Sequence, residues 1–255
     1  MSYDVVIIGG GPAGLSCAKI TSGYGLKTLV IERKSAIGEK VCAGGITWNG
    51  LIKKFPSYNA EKEFKTQFIQ SKFQRTSLSS PSPIIATINR EKFGRHMARI
   101  ARDSGAIIRT SCQVTSIRDT DISILNKKNG VSETIRYKYL VGADGSSSIV
   151  RRYLKIPVNH FGIGINYHIP GEYDEMEWHF DSSLFANGYA WIFPHATTVS
   201  VGAYVDAKNM KATQLKRNLL EWARDRGFML ANYSTTAEII NFDFKGWQFN
   251  NIFLA

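Results

Sequence analysis

Apolar and polar positions along the first 32 residues follow two periods in turn. Val5-Val6-Ile7-Ile8 is an unbroken apolar run of β-formers, as expected of a strand buried on both faces. The run ends abruptly at Gly9-Gly10-Gly11-Pro12-Ala13-Gly14, after which Leu15, Ala18 and Ile20 recur at helical spacing. A second apolar run, Thr28-Leu29-Val30-Ile31, stops at Glu32 and predicts another strand. The opening therefore reads as strand, glycine turn, helix, strand.

The same reading continues along the chain. Thr47 to Phe55 predicts a short helix, and residues 56–83 mix Pro, Ser and aromatics with a strand-like piece from Phe64 to Ile69. Ile84 to Ile88 predicts a strand ending at Asn89, which can cap a helix from Arg90 to Ser104; Phe93, Met97, Ile100 and Ala101 form its stripe and Gly105 stops it. Ile107 and Ile108 begin a strand, Val114 and Ile117 lie near the next, and residues 120–126 and 131–137 form a hairpin around Asn129-Gly130. Tyr139-Leu140-Val141 reads as a short buried strand running into Gly142-Ala143-Asp144-Gly145, with a helical start at Ile149 to Arg152.

From His160 the texture changes. Phe161, Ile163, Ile165, Tyr167 and Ile169 alternate with small or polar residues, as in a sheet with one packed face. Gly188 to Pro194 places Tyr189, Trp191 and Phe193 on one side, and Val199 to Val205 returns as a strand. A helix from about Met210 to Arg226 turns Leu215, Leu219 and Trp222 inward; Ile239 to Phe244 reads as a strand, and Asn251 to Ala255 begins one more. The expected organisation is α/β: a discontinuous dinucleotide-binding domain over residues 1–75 and 84–158, a crossing segment at 76–83, and a substrate-binding sheet domain with one helix over 159–255.

Chemistry enters at the first turn. Gly9, Gly11 and Gly14 make G-x-G-x-x-G, which lets a diphosphate approach the backbone and meet a helix N-terminus carrying a partial charge of about +0.5. Pro12 and Ala13 complete that turn. Glu32 ends the second strand where a carboxylate accepts from a ribose, and an acid there disfavours a 2′-phosphate, so the site suits FAD or NAD. Asp144 stands on a glycine-flanked turn at a strand's C-terminal end, the place where open α/β sheets contact ligands. Cys42, followed by Ala43, Gly44 and Gly45, could place backbone N–H groups and a thiol against a flat ring; on spacing alone, a small buried hydrophobe in a glycine turn is the stronger reading. Arg90, in a first helical turn, works against the dipole unless an anion is near. The aromatic row at 189–193 reads equally as core or as a wall for a long apolar ligand.

Composition narrows the classes. With 255 residues, 44% hydrophobic, the chain can bury a sizeable core. No apolar run approaches the roughly 20 residues of a membrane span, and Met1-Ser2-Tyr3-Asp4 resembles neither a signal nor a transit peptide. Three scattered cysteines lack metal spacing and suit a reducing, cytoplasmic setting. The net charge of +11 is spread without a dense basic tract or nucleic-acid motif, which argues against nucleic acid and leaves a solvated basic surface, anionic lipid or a diphosphate ligand.

As a set, these motifs resemble the geranylgeranyl reductase family of flavoproteins, within the group sharing the para-hydroxybenzoate hydroxylase fold, over essentially the whole chain. The resemblance implies an FAD-binding Rossmann-type (glutathione-reductase-like) domain with a mixed or antiparallel β-sheet substrate domain. It implies that Gly9, Gly11, Gly14 and Glu32 hold the ADP half of FAD, with Pro12, Ala13, Arg33, Arg90, Val114, Asp144 and Gly145 also at the cofactor. The loop Lys40-Val41-Cys42-Ala43-Gly44-Gly45 is similar to the one beside the flavin ring, which makes Cys42 the expected catalytic residue; Y-x-W-x-F-P, here Tyr189, Trp191, Phe193 and Pro194, matches the family's lipid-lining pattern. The implied activity is reduction of isolated C=C bonds of an isoprenoid, with no metal; the sequence does not mark the donor, NAD(P)H or a reduced carrier, and peripheral membrane association is an expectation from the net charge. Two departures stand out: Tyr204 replaces the second glycine of a G-x-G, and the family's C-terminal Gly-Asp motif and closing helices are absent from the sequence. A hydroxylase or halogenase of the same fold, and a truncated non-catalytic flavin or lipid binder, are the alternative expectations.

Overall fold

A computed structural model describes residues 1–38, 42–56 and 58–255. The fold is α/β, and it divides into two compact units, each made of separated stretches of chain. The first comprises Met1–Glu39, Glu91–Asn159 and Asp243–Ala255; the second comprises Lys40–Arg90 and His160–Phe242.

In the first unit the opening strand, Ser2–Ile8, lies between Thr28–Ile31 and Ser132–Gly142, parallel to both. Ile107–Arg109 extends the parallel set on one side and Ile252–Leu254 on the other. Val6, Ile7, Leu29 and Leu140 are fully buried, which explains why these strands read as continuous apolar runs rather than alternations. The strands Cys112–Ile117 and Asp121–Asn126 continue the sheet as an antiparallel extension, packing Val114, Ile122, Ile124 and Ile135 into the same core.

Tyr139 to Val141 is not a separate short strand. It is the end of the eleven-residue strand Ser132–Gly142, which pairs antiparallel with Asp121–Asn126 at its start and parallel with Ser2–Ile8 towards its end. The hairpin also turns differently from a two-residue Asn-Gly loop. Asn126 N donates to Val131 O, enclosing residues 127–130; of the pair Asn129-Gly130 only Gly130 takes a positive φ, +71°, while Asn129 Oδ1 accepts from Val131 N.

The second unit is built on a seven-stranded sheet in the order Thr236–Asn241, Phe161–Pro170, Thr198–Asp206, Tyr189–Pro194, Glu177–Phe180, Thr66–Ser71, Arg75–Ser79. All its pairings are antiparallel except that between Glu177–Phe180 and Thr66–Ser71. One face, carrying Ile165, Tyr167, Ile192, Val201 and Val205, packs with Leu215, Leu219 and Trp222 of the helix Ala212–Arg224. The alternation from Phe161 onward correctly implied that packed face. A separate small sheet pairs Gly45–Thr47 and Lys62–Phe64 with Ile85–Thr87.

The unit boundaries differ from the sequence expectation at both ends. Residues 40–75 join the second unit, because Thr66–Ser71 takes its partners from Glu177–Phe180 and Arg75–Ser79. Residues 76–83 contain the strand that closes this hairpin rather than a bare crossing. Residues 243–255 return to the first unit, because Ile252–Leu254 pairs with Ser132–Gly142 and Asp243 fastens the segment. Its carboxylate accepts from Asn159 N at 2.8 Å and Lys245 Nζ at 2.9 Å, while its carbonyl accepts from Arg151 Nη1 at 2.8 Å. The strand expected at 239–244 sits earlier, at Thr236–Asn241, leaving Phe242 and Phe244 exposed.

Buried beside the second unit's core is a polar cluster with no counterpart in the sequence reading. Glu177 Oε2 lies 2.6 Å from His179 Nε2, and Glu177 Oε1 accepts from the Tyr173 hydroxyl at 2.9 Å. Burial by itself raises the Glu177 carboxyl, but the hydrogen bonds from His179 and Tyr173 outweigh it and hold it below its ordinary value of 4.5. A carboxyl depressed on folding contributes stability that is full above the ordinary carboxylate range and is lost as pH falls below it. Denaturation of wild type and Glu177→Gln across acidic pH checks this: wild type should lose stability steadily below about pH 4.5 and the variant should show a flatter slope there.

Candidate dinucleotide site and the cysteine loop

At the C-terminal edge of the first unit's parallel sheet, strand ends and turns converge. Gly9 has φ +109°, and a Cβ built on it would stand 2.2 Å from Ala143 O, so this turn and the one after Gly142 meet backbone to backbone. A Cβ on Gly14 would lie 2.1 Å from Gly9 O, which fixes the helix Pro12–Gly23 close over the strand end. Gly11 is different: a Cβ there meets nothing within 4 Å, so its surroundings are open. It is also the N-cap, with no side chain bonded to it as a cap and no acid in the first turn formed by Pro12, Ala13 and Gly14. The helix's first N–H groups and the positive end of its dipole are left for an anion.

Glu32 stands beside this turn. Its Oε2 accepts from Gly10 N and its Oε1 from Lys34 N, both at 2.8 Å, so the carboxylate is held in place while each oxygen keeps a second acceptor position. Asp144 faces the same cleft. Its Oδ2 accepts from Ile149 N at 2.6 Å, whereas its buried Oδ1 has no hydrogen-bond partner among the described residues. An orphaned carboxylate oxygen costs about 1–3 kcal/mol unless something donates to it, and a hydroxyl-rich ligand would. The cleft is lined by Gly9, Glu32, Arg33, Val114 and Asp144, all expected from sequence. Gln113, Ser147 and Arg152 line it too and were missed. Arg152 had a visible signal, since it follows the Asp144 turn by eight residues in a basic helical start; Gln113 had none. Gly145, at φ +75°, shapes the turn without lining the cleft.

The second unit holds the cysteine loop. Lys40 and Val41 of the expected motif lie outside the described residues. Cys42 is a free, partly buried thiol whose Sγ accepts from Gly44 N at 3.4 Å. Its carbonyl receives Asn166 Nδ2 at 3.3 Å and lies 3.2 Å from His168 Nε2, and the Ala43 carbonyl lies 2.9 Å from His195 Nε2. Gly44 has φ +84°, and a Cβ on it would stand 2.4 Å from His195 Cε1. The ring and the turn are in direct contact. Gly45 opens the strand Gly45–Thr47 under the ring of Phe193. Glu61, His168 and His195 were not singled out from sequence; they reach this loop from positions as far as 152 residues away. Arg90 is the first residue of the helix Arg90–Asp103 and acts electrostatically on Tyr58, as does Glu61.

Tyr189, Trp191 and Phe193 do share one face, in successive ring contacts of 6.1 and 6.0 Å. Trp191 and Phe193 are buried there in a cluster with Phe64, Ile85 and Met176, and Trp191 Nε1 donates to Ser200 Oγ. Tyr189 alone of the three is partly open, against Trp178 and Tyr204. Tyr204 packs on Gly162, where a Cβ would come within 2.2 Å of its ring. Among the described residues no group of His, Cys, Asp and Glu could hold a metal ion, and no helix is long and apolar enough to cross a membrane.

A glycine-turned strand end and two carboxylates line one cleft, and an uncapped helix starts from the same glycine turn, although Gly11, Pro12, Ala13 and Gly14 do not themselves line the cleft; this is the arrangement of a nucleotide-binding α/β protein of the dinucleotide type. The FAD binding domain family matches residues 2–206, and the chain belongs to that family. An uncharacterised protein of Methanosarcina barkeri is 31% identical over 93% of this chain and 62% of its own length. The digeranylgeranylglycerophospholipid reductase of Methanocaldococcus jannaschii is 29% identical over 88% of this chain and 61% of its own. The chain thus spans about 60% of the length of these relatives. Among solved structures, a geranylgeranyl bacteriochlorophyll reductase-like protein of Thermoplasma acidophilum superposes with TM-score 0.89 at 22% identity, covering 99% of this chain and 70% of that one. A flavin-dependent brominase superposes with TM-score 0.73 at 19% identity, over 100% and 71%. The geranylgeranyl reductase resemblance and the fold class drawn from sequence are borne out.

The residues present fit FAD. Asp144 Oδ1 lacks a donor among the described residues, Gly11 leaves room at an uncapped helix, and Glu32 is preset at the cleft. Two glycine variants separate the turn's two roles. Gly9→Ala should lower the melting temperature of FAD-free protein, since its Cβ meets backbone. Gly11→Ala should leave that temperature unchanged and weaken FAD binding about tenfold or more, measured by flavin fluorescence titration.

Proposed function

We propose that this protein is an FAD-dependent reductase of isolated C=C bonds in an isoprenoid lipid. The observation that carries the flavin half is the cleft with its orphaned Asp144 oxygen; the lipid half is supported by relatives named digeranylgeranylglycerophospholipid reductase. Reduced FAD, when bound, supplies hydride to an unactivated alkene. The protein's own part is binding and orientation. The first turn of the helix Pro12–Gly23 takes the diphosphate on its free N–H groups, Glu32 accepts from a ribose, and Asp144 accepts from a ligand hydroxyl through Oδ1. Gly145 shapes the Asp144 turn, Arg33 and Val114 line the cleft, and Arg90 supplies positive charge to the cofactor.

Cys42, with the N–H groups of Ala43, Gly44 and Gly45, is assigned to the flavin ring, and Cys42 is the proposed catalytic residue. Because an isolated alkene has no carbonyl to polarise, holding it close must supply much of the acceleration. Tyr189 is the ring of the aromatic row available to a ligand, with Trp191 and Phe193 backing it from the core. Burial of a chain of about 20 carbons at about 0.8 kcal/mol per CH₂ sets an upper bound near 16 kcal/mol before binding costs. NAD(P)H or a reduced carrier protein is the proposed electron source. Peripheral contact with anionic lipid fits the net charge of +11.

Purified protein should be yellow and bleach with dithionite. Under anaerobic conditions the reduced protein should convert a geranylgeranylated lipid to products heavier by two hydrogens per bond, read by mass spectrometry. Oxygen-dependent NAD(P)H consumption with an oxygenated or halogenated product would instead identify the hydroxylase or halogenase chemistry of its fold relatives. Cys42→Ala should slow single-turnover reduction by about 10²-fold without loss of bound FAD. An unchanged rate removes Cys42 from the chemistry.

A further inference from the structure

His195 lies between two groups that accept hydrogen bonds. Its Nδ1 is 2.7 Å from Glu61 Oε2 and its Nε2 is 2.9 Å from the Ala43 carbonyl oxygen. A neutral imidazole has one N–H, a carbonyl has none, and an ionised carboxylate has none. With Glu61 ionised and His195 neutral, one of the two contacts would set lone pair against lone pair. Side-chain exposures of 5% for His195 and 18% for Glu61 leave little water to relieve it. Both contacts are satisfied only when the pair holds one proton more than a carboxylate plus a neutral imidazole. That proton sits on His195 as an imidazolium or on Glu61 as an acid donating to Nδ1.

The surroundings make this a device acting on the loop. Glu61 is anchored by its own N–H on Thr87 O at 2.8 Å, and the chain at Pro194 is anchored by Thr87 Oγ1 at 2.7 Å. The neighbouring Cys42 carbonyl is served separately, by Asn166 and His168. Asn166 is in turn fixed by Ser200 Oγ at 2.7 Å. Among the described residues, His168 meets the His195 ring edge-on at 5.4 Å, the Cys42 thiol belongs to the clasped turn, and Tyr58 feels both Glu61 and Arg90. Although its outer edge is exposed, burial of the rest of the His168 ring pushes that group down, towards the neutral form that donates one N–H to Cys42.

We propose that Glu61 and His195 form a proton-holding clasp on the Cys42–Gly44 turn, with His195 the positioning residue for that turn. An alkene that takes a hydride must also take a proton, and this pair keeps one in the unit that carries Cys42. That last link rests on the function proposed above; the clasp does not.

The test uses the full chain and needs no turnover. Nitrogen-15 NMR of labelled histidines near neutral pH, with carboxyl carbon-13 shifts for Glu61, reads where the proton is. Wild type should show either both His195 nitrogens protonated or Glu61 protonated. In Glu61→Gln the new amide can donate to Nδ1, so His195 should be protonated at Nε2 alone, and exchange of the Gly44 amide should stay within about threefold of wild type. His195→Ala should speed that exchange by about tenfold or more with the global melt retained. A singly protonated His195 beside an ionised Glu61 overturns the proposal, as does a Glu61→Gln variant that frees the turn as fully as His195→Ala. Should His195→Ala fail to fold, the Glu61→Gln comparison still decides. Absence of alkene reduction by the wild-type protein with the NMR result intact would sink the proposed function and leave the clasp standing.

Discussion

Contact between two backbone turns, Gly9 against Ala143 and Asp144, is the constraint on which the candidate nucleotide site depends. Only a residue without a Cβ, able to take φ +109°, lets the end of the opening strand lie that close to the end of Ser132–Gly142. Once it does, three features come to one edge of the parallel sheet: the uncapped start of the helix Pro12–Gly23, Glu32 at the end of the neighbouring strand, and Asp144. The cleft exists because strand ends in a parallel sheet point the same way and their following turns must share that edge.

The second unit solves a different problem. Its large sheet packs one face against the helix Ala212–Arg224 and gives the other to aromatic residues that cluster with Phe64, Ile85 and Met176. The cysteine loop gains its shape from outside itself. Two successive carbonyls, of Cys42 and Ala43, meet side-chain partners on Asn166, His168 and His195, and a carbonyl held by an external donor fixes its peptide plane. A turn of small residues has no packing of its own to define it, so these contacts supply what its composition lacks.

The buried ionisable pairs, Glu61 with His195 and Glu177 with His179, follow from the same accounting. A charge taken out of water must find partners or change its protonation state. Glu177 has enough partners to stay ionised. Glu61 and His195 face an additional acceptor, and that one extra carbonyl is what distinguishes a structural pair from one that must retain a proton.

Much of this was legible in the sequence alone. The glycine turn, Glu32, the Asp144 turn, the amphipathic helix with Leu215, Leu219 and Trp222, and the one-sided aromatic row are local patterns, written in residues a few positions apart. Local spacing determines whether a segment is strand, helix or turn, because burial on one face imposes a period. It does not say which strand pairs with which. That Thr66–Ser71 joins Glu177–Phe180, that residues 243–255 return to the first unit, and that Trp191 and Phe193 are covered by Phe64 and Ile85 were decided only by the tertiary structure. The clasp on Cys42 is the sharpest case. Glu61 and His195 are 134 residues apart, and no period or motif links two side chains whose only relation is that the folded sheets bring them within 2.7 Å.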